Sequence, residues 1–316
     1  LGRQRPPQPR ETKTMRHFTR TPCYSGPDDP ERGQPRGTLE LGETVIIDTV
    51  GGSDHDYEAA GETRAGQITA ANTTRHSRQG GPFIIEGIEP DDWVAIEILD
   101  MECGPYGFYR NAGPHWGYWR AVAPVRDGLV HFPPDFVVPV RPMIGVIQLE
   151  SVASHPIDNG GNMDFNSIQP GSTVHIRAQK AGAYLSIGDT HARMGDGELT
   201  AAGVEIDAKV TLKVDRSPGF PNASPIVETT GYVESKEEWL TGGVGPTWGE
   251  AVKKAWIEMV ALLIDRYDTT YEYANMIVGT IGDARPGFAT EYIGSYCTCQ
   301  IAITKQLRRT GTPYKA

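Results

Sequence analysis

The chain has 316 residues, 38% of them hydrophobic and 22% charged, and a net charge of −10. That length supports one large domain or two intimate ones, and the acidity excludes a chain-wide basic footprint for nucleic acid. Four cysteines exclude a disulfide framework, and no apolar run reaches the ~18 residues needed to span a bilayer.

In chain order, residues 1–36 are rich in Pro, Arg and Gly and read as an extended N-terminal arm. Arg3, Arg5, Arg10, Lys13, Arg16 and Arg20 accompany no apolar stretch of the secretory kind, so a cytoplasmic location is expected. Residues 37–316 read as a single domain. Within it, 43–50, 93–99, 172–179, 183–189 and 209–215 alternate apolar and polar residues with the period of strands. Glu86 and Pro90–Asp91 read as turn chemistry. The aromatic-rich stretch 106–119 is expected to be a loop at a pocket mouth or a subunit interface.

One strong helix is predicted after Pro246. Thr247 and Glu250 make a capping box, and Trp248, Ala251, Val252, Ala255, Trp256, Met259, Val260 and Leu263 recur at helical spacing. A second box, Ser235 to Glu238, predicts a shorter helix. Residues 271–279 are ambiguous, and 300–307 close the chain as a strand or a helix. Cys297 and Cys299 share one face of a strand, where two small buried hydrophobes are favoured over a ligand pair. The fold class expected is mainly β, a two-sheet sandwich or irregular barrel, with appended α-helices.

The chemistry concentrates in 155–205. In GDTHARMGDGE (188–198), Asp189 and His191 lie at i and i+2, on one face of a strand, a spacing that can hold one metal from two sides. Asp196 and Glu198 follow on a glycine-flanked turn that can point back to the same place. The bland alternative is a polar hairpin with solvated acids. In HPIDNGGNMD (155–164), Gly160 and Gly161 permit close approach of a ligand, Asn162 can bond an amide or carboxylate, and Asp164 is a candidate ligand or base. Alone, that segment reads as a loop fixed by its own side chains. In DTVGGSDHD (48–56), Asp48, Asp54, His55 and Asp56 either complete a metal site or form an exposed acidic loop. His115 and His131 read as structural. There is no G-x-S-x-G elbow, no P-loop and no zinc-finger spacing.

These segments resemble the acetamidase/formamidase family. The match runs through GGNMD (160–164), PGSTVHI (170–176), AGAYLSIGDTHARMGDGE (181–198) and GVE (203–205). Weaker matches are GPFIIEGIEPDDWVAIEI (81–98), RPMIGVIQL (141–149) and ANMIVGTIGDAR (274–285). Two positions depart from the family pattern: Asn159 stands where the family has His, and Met194 where it has Gln. The resemblance implies a soluble homo-oligomeric hydrolase of mainly β fold that cleaves the non-peptide C–N bond of a small linear amide and releases ammonia. It also implies a divalent metal, with zinc expected. A small amide is the expected partner; nucleic acid and membrane are not. Residue chemistry assigns Asp189, His191, Asp48 and Glu205 as metal ligands, and Glu198, Asn162 and Asp164 as catalytic groups. Glu198 is the acid–base candidate, and Asn162 with the Gly160–Gly161 amides the oxyanion holder. Because of the two departures, a hydrolase or lyase acting on another C–N compound, such as a lactam, is carried as an alternative. A non-catalytic, metal-stabilised β protein is the other.

Overall fold

The computed structural model describes residues 15–19, 22–23, 33–51, 79–113, 117–132, 134–150, 158–230, 236–289 and 296–308. Most of the proposed arm, Asp54, His55, Asp56, His115 and His155 lie outside these residues.

Among the described residues the fold is mainly β with two helices near the C-terminal end. The strands that carry the site and its support are β1 (Thr44–Thr49), β2 (Gln79–Ile85), β3 (Trp93–Gly113), β4 (Met143–Leu149) and β5 (Gly160–Asn162). They continue with β6 (Ser172–Arg177), β7 (Leu185–His191), β8 (Glu205–Arg216), β9 (Ile226–Thr229), β10 (Glu238–Gly245) and β11 (Cys297–Thr304). The helices are α1 (Trp248–Tyr267) and α2 (Tyr271–Ile281).

The strands form one large mixed sheet in two halves. In the first half β2, β7, β4 and β5 pair in that order, each antiparallel to the next. In the second, β1, β8, β3, β6, β9, β10 and β11 do the same. Two short strands pair in parallel at the margins, Arg16–Phe18 with β1 and Gly37–Leu39 with β2. Among the described residues the halves are laddered together at one residue pair, His191 of β7 with Glu205 of β8.

The alternation read from the sequence fills the space between the halves. Val45, Ile47, Val94, Ile96, Ile98, Val210, Leu212 and Val214 from one half meet Phe83, Ile85, Ile147, Leu149, Leu185 and Ile187 from the other in a single buried cluster. Each such side chain contributes about 1.5–3 kcal/mol on full burial.

The helices cover the outer face of β9, β10 and β11. Thr247 caps α1, its hydroxyl accepting from the Glu250 N–H and donating to the Glu250 carboxylate. Ala251, Ala255, Met259 and Leu263 pack on Ile226, Trp239, Ile301 and Ile303, with Cys297 and Cys299 buried among them. The two cysteines are therefore core thiols. The ambiguous 271–279 stretch is helical, as α2, and 300–307 begins in strand β11.

Two local expectations are corrected. The Ser235–Glu238 box opens no helix at Glu238, which instead begins β10 and pairs with Thr304. The stretch 106–119 is not a loop but most of a long hairpin, from Tyr106 opposite Pro124 to Gly113 opposite Gly117.

Candidate active site

The join between the two halves is also where the ionisable residues meet. β7 ends in Asp189, Thr190 and His191. Thr190 points into the sheet on the opposite side, donating to Ile206 O at 2.6 Å and meeting Thr49 Oγ1 at 3.0 Å. Asp189 and His191 are thereby turned to the same side, as their spacing predicts. Glu205 opens β8 directly across from His191. Asp164 follows β5, its N–H donating to Gly145 O. Glu198 sits on the turn after Gly195, its N–H donating to Gly195 O.

Ligating atoms of Asp164, Asp189 and His191 lie within 4.8 Å of one another, and so do those of His191, Glu198 and Glu205. His191 belongs to both sets. Its Nε2 is 3.2 Å from Glu205 Oε1 and 3.6 Å from Asp189 Oδ1, and its Nδ1 is 3.1 Å from Met143 Sδ. All five residues are buried, His191 completely. Among the described residues neither carboxylate oxygen of Asp164 has a hydrogen-bond partner, and His191 Nε2 is aligned for a hydrogen bond with neither neighbour.

Burial and charge crowding together set the electrostatics. Burial, followed by the charges of Glu198 and Asp189, holds the Asp164 carboxyl well above the usual carboxylate range. Burial opposes protonation of His191, but Glu205 and Asp189 outweigh it and the imidazole sits well above its ordinary value. Four carboxylates and one imidazole in a dry pocket need a positive partner, a proton or a cation.

The backbone is shaped around the cluster. Asp164 (φ 51°), Asp189 (φ 53°) and Glu198 (φ 43°) all occupy the left-handed region, which non-glycine residues adopt at a cost of roughly 1–3 kcal/mol. Two glycines make room for the side chains. A Cβ on Gly145 would lie 2.5 Å from Asp164 Oδ1 and 3.0 Å from Asp189 Oδ2; one on Gly203 would lie 2.8 Å from His191 Cγ.

Of the seven predicted site residues, the structure brings together Asp164, Asp189, His191, Glu198 and Glu205. Asp48 is not with them. It lies on the β1 face opposite to Thr49 and contacts His17 Nε2 at 2.6 Å. Asp196 does not turn back either, but is exposed and accepts from Asn166 Nδ2 at 2.7 Å. Gly160 and Gly161 are laddered opposite Gln148 and Ile147 of β4, not set in an open loop. Asn162 is occupied differently from the oxyanion role expected of it: its Nδ2 donates to the Tyr296 phenol oxygen at 2.9 Å. Tyr296 was not among the residues singled out from the sequence. Burial, then the charge of Asp164, raises its phenol pKa, with Glu198 and Asp189 acting in the same direction. Met143 and Gly145 were also overlooked; their only signal was a weak match around 141–149. Asn159 is fully buried, and Met194 is buried with its carbonyl accepting from Arg141.

The chain is similar in sequence and fold to known proteins. Residues 146–274 match the model of the acetamidase/formamidase family. An acetamidase of Mycolicibacterium smegmatis is 24% identical over 284 residues, 64% of this chain and 67% of the relative. A protein of Schizosaccharomyces pombe that bears the name of a formamidase is 42% identical over 250 residues, 56% of this chain and 60% of the relative. The chain thus matches about two thirds or less of the length of these relatives. The crystal structure of an acetamidase from Bacillus halodurans superposes with a TM-score of 0.77 at 26% identity, over 92% of this chain and 96% of that one. All five clustered residues fall inside the matched segment, on a fold shared almost end to end with a solved acetamidase, and over that segment the chain resembles the acetamidase/formamidase family.

Proposed function

We propose that this chain hydrolyses a small linear amide of the formamide or acetamide kind, R–CO–NH2 plus water giving a carboxylate and ammonia, at the buried cluster around His191. The observation that carries the reading is the Asp164 carboxylate, buried with no hydrogen bond from the described residues beside three further carboxylates and the unaligned His191 Nε2. Such a set is costly when empty and suited to a cation.

The residues fit a divalent metal. Imidazole nitrogen and carboxylate oxygens, with no thiolate among them, are ordinary donors for zinc, the metal we propose. Asp164, Asp189, His191 and Glu205 would hold it. Lewis acidity, acidifying water and polarising a carbonyl, is what such an ion supplies when bound. Glu198, on its separate turn, takes the proton from the attacking water and returns it to the leaving nitrogen. Met143 sulfur against Nδ1 fixes the ring so that Nε2 faces the carboxylates. Asn166 and Asp196, each two residues along the chain from a cluster carboxylate, line a cleft of about 260 Å³, a scale suited to a small molecule.

We also propose a homo-oligomer in the cytoplasm. Phe136 and Val137, on an outlying strand, and Tyr271, Met276 and Ile281 of α2 expose apolar surface of the kind that subunits bury. The thiols of Cys103, Cys297 and Cys299 suit a reducing compartment. No helix among the described residues is long and apolar enough to cross a membrane.

The test is elemental analysis of the purified protein paired with ammonia release from formamide and acetamide, before and after chelation. Stoichiometric zinc with chelator-sensitive release is expected. Metal without release from either amide would overturn the substrate assignment, and release that survives complete metal removal would overturn the metal assignment.

A further inference from the structure

The cleft that Asn166 and Asp196 line has the makings of a site of its own. None of the five clustered residues is among the described residues that line it. What does line it includes a buried, unmet hydrogen-bond donor and a surplus of cationic side chains.

Gln300 supplies the donor. Cys297, Cys299, Ile301 and Ile303 of β11 pack with the helices, so Gln300 faces the other way, where it lines the cleft. It is only 3% exposed, and its Oε1 accepts from Ser167 Oγ at 2.8 Å. Its Nε2 has no hydrogen-bond partner among the described residues. A buried amide N–H left without an acceptor carries its full desolvation cost, which a ligand oxygen would offset.

The charges select the kind of ligand. Arg141, Lys236 and Arg285 line the cleft against Asp196 and Glu238, a local positive surplus on a chain of net charge −10. Glu238 is already neutralised in place, both its oxygens accepting from Arg285 at 2.7 and 2.8 Å. Asp196 is exposed and accepts from Asn166 Nδ2. Lys236 Nζ lies 3.9 Å from Asp283 Oδ2, beyond hydrogen-bond length, and its side chain is largely exposed. A monoanion with hydrogen-bond acceptors matches this lining.

We propose that the cleft binds a small carboxylate, one oxygen accepting from Gln300 Nε2 and the charge balanced by Lys236 and Arg141. This goes beyond the amidase reading and does not depend on it. The acid that amide hydrolysis would release belongs to the same ligand class, so the cleft would fill as that product accumulates.

The experiment is calorimetric titration of sodium acetate into the purified full chain, at neutral pH and constant ionic strength, for the wild type, Gln300→Glu and Lys236→Gln. Saturable binding in the millimolar range is expected for the wild type. Gln300→Glu keeps the acceptor for Ser167 but replaces the donor with a carboxylate, and should weaken binding about 10-fold or more. Lys236→Gln alters an exposed side chain and should weaken it roughly threefold without changing Tm. Acetate that binds both variants as it binds the wild type would place the binding elsewhere and overturn the proposal, as would a wild type that shows no saturable binding. If Q300E does not fold, unchanged affinity in K236Q overturns the proposal by itself. Ammonia release is not read here, so failure of this site and failure of the amidase reading are told apart.

Discussion

Glu205 faces His191 across the residue pair at which, among the described residues, the two halves of the sheet are laddered together, with Oε1 3.2 Å from Nε2. The join is therefore both a structural and a chemical feature. A closer approach by Glu205 is permitted because its neighbour Gly203 leaves the imidazole face clear. Glu205→Gln keeps the shape and the pairing but removes the charge. The expected result is a well-folded protein whose metal affinity falls by at least the roughly 10- to 100-fold that loss of an outer-shell partner costs, because Glu205 is proposed as a direct ligand. Metal titration followed by ammonia release checks it, and undiminished affinity would remove Glu205 from the ligand set.

Asp164 makes an opposite demand on stability. Its carboxyl pKa is raised in the folded, metal-free protein, first by burial and then by Glu198 and Asp189. A raised pKa means that the folded state binds the proton more tightly than the unfolded state does. This stabilisation is complete below the ordinary carboxylate value and is lost as pH rises through the higher folded value. At neutral pH the ionised group is a liability without a cation. Asp164→Asn should therefore raise the Tm of chelated protein at pH 7 and abolish ammonia release, a trade of function for stability. A fall in Tm would mean that the carboxylate is satisfied in a way the structure does not contain.

Gly145 separates space from flexibility as the reason for a glycine. A methyl group there would meet Asp164 Oδ1 at 2.5 Å and Asp189 Oδ2 at 3.0 Å, whereas one on Gly195 would meet nothing within 4 Å. Gly145→Ala is expected to displace both carboxylates and cost most of the metal binding. Gly195→Ala, close in sequence to Glu198, should bind metal as the wild type does. Parallel metal analysis of the two variants decides the matter; equal occupancy would show that the cradle around Gly145 is dispensable.

Much of this was legible in the sequence. Period-two alternation found β1, β3, β6, β7 and β8, because each buries one face against a common core and that constraint is written locally. The Thr247–Glu250 box found α1 for the same reason. The Asp189–His191 pair was readable because one strand fixes both side chains. What failed was non-local. Ser235–Glu238 has the form of a helix start, yet Glu238 pairs with Thr304 and binds Arg285 through both its oxygens, at 2.7 and 2.8 Å. A cap worth about 1 kcal/mol does not outweigh a strand position between two neighbours. Asp48 had the right chemistry, but its position in β1 faces it away from the cluster. Tyr296 lies more than 130 positions from Asn162, a separation that no spacing rule spans.

Glu228 gives an acid-stability prediction away from the site. His175 Nε2 lies 3.4 Å from Oε2 and Lys305 Nζ lies 2.5 Å from Oε1. The His175 hydrogen bond, and then Lys305, hold the Glu228 carboxyl down at about 2. A depressed carboxylate pKa contributes stability that is present above the unfolded value and lost as pH falls through the folded one. The Tm difference between wild type and Glu228→Gln should be constant near neutrality and shrink between about pH 4.5 and 2. The group is partly solvent-exposed, so the difference should be modest. A gap that persists to pH 2 would assign it to packing and not to charge.

The seat of α1 on the sheet rests on Gly243. Its ladder partner is Cys299, on the face where the helix lies. A methyl group on Gly243 would come within 2.2 Å of Ala251 O and 2.4 Å of Ala255 N, both main-chain atoms that cannot swing aside. Gly243→Ala must lift the helix from β10, loosening Ala251, Ala255 and Met259 together. Overpacking of this kind costs about 1–3 kcal/mol or more. The proposed metal ligands lie on other elements, so the variant should lose thermal stability while its folded fraction keeps the wild-type metal content. Thermal melts with metal analysis below the transition check both halves of the expectation. An unchanged Tm would show that the contact between α1 and β10 is looser in solution than in the structure. A loss of metal at full folding would tie the helix to the site, through a coupling that no contact described above supplies.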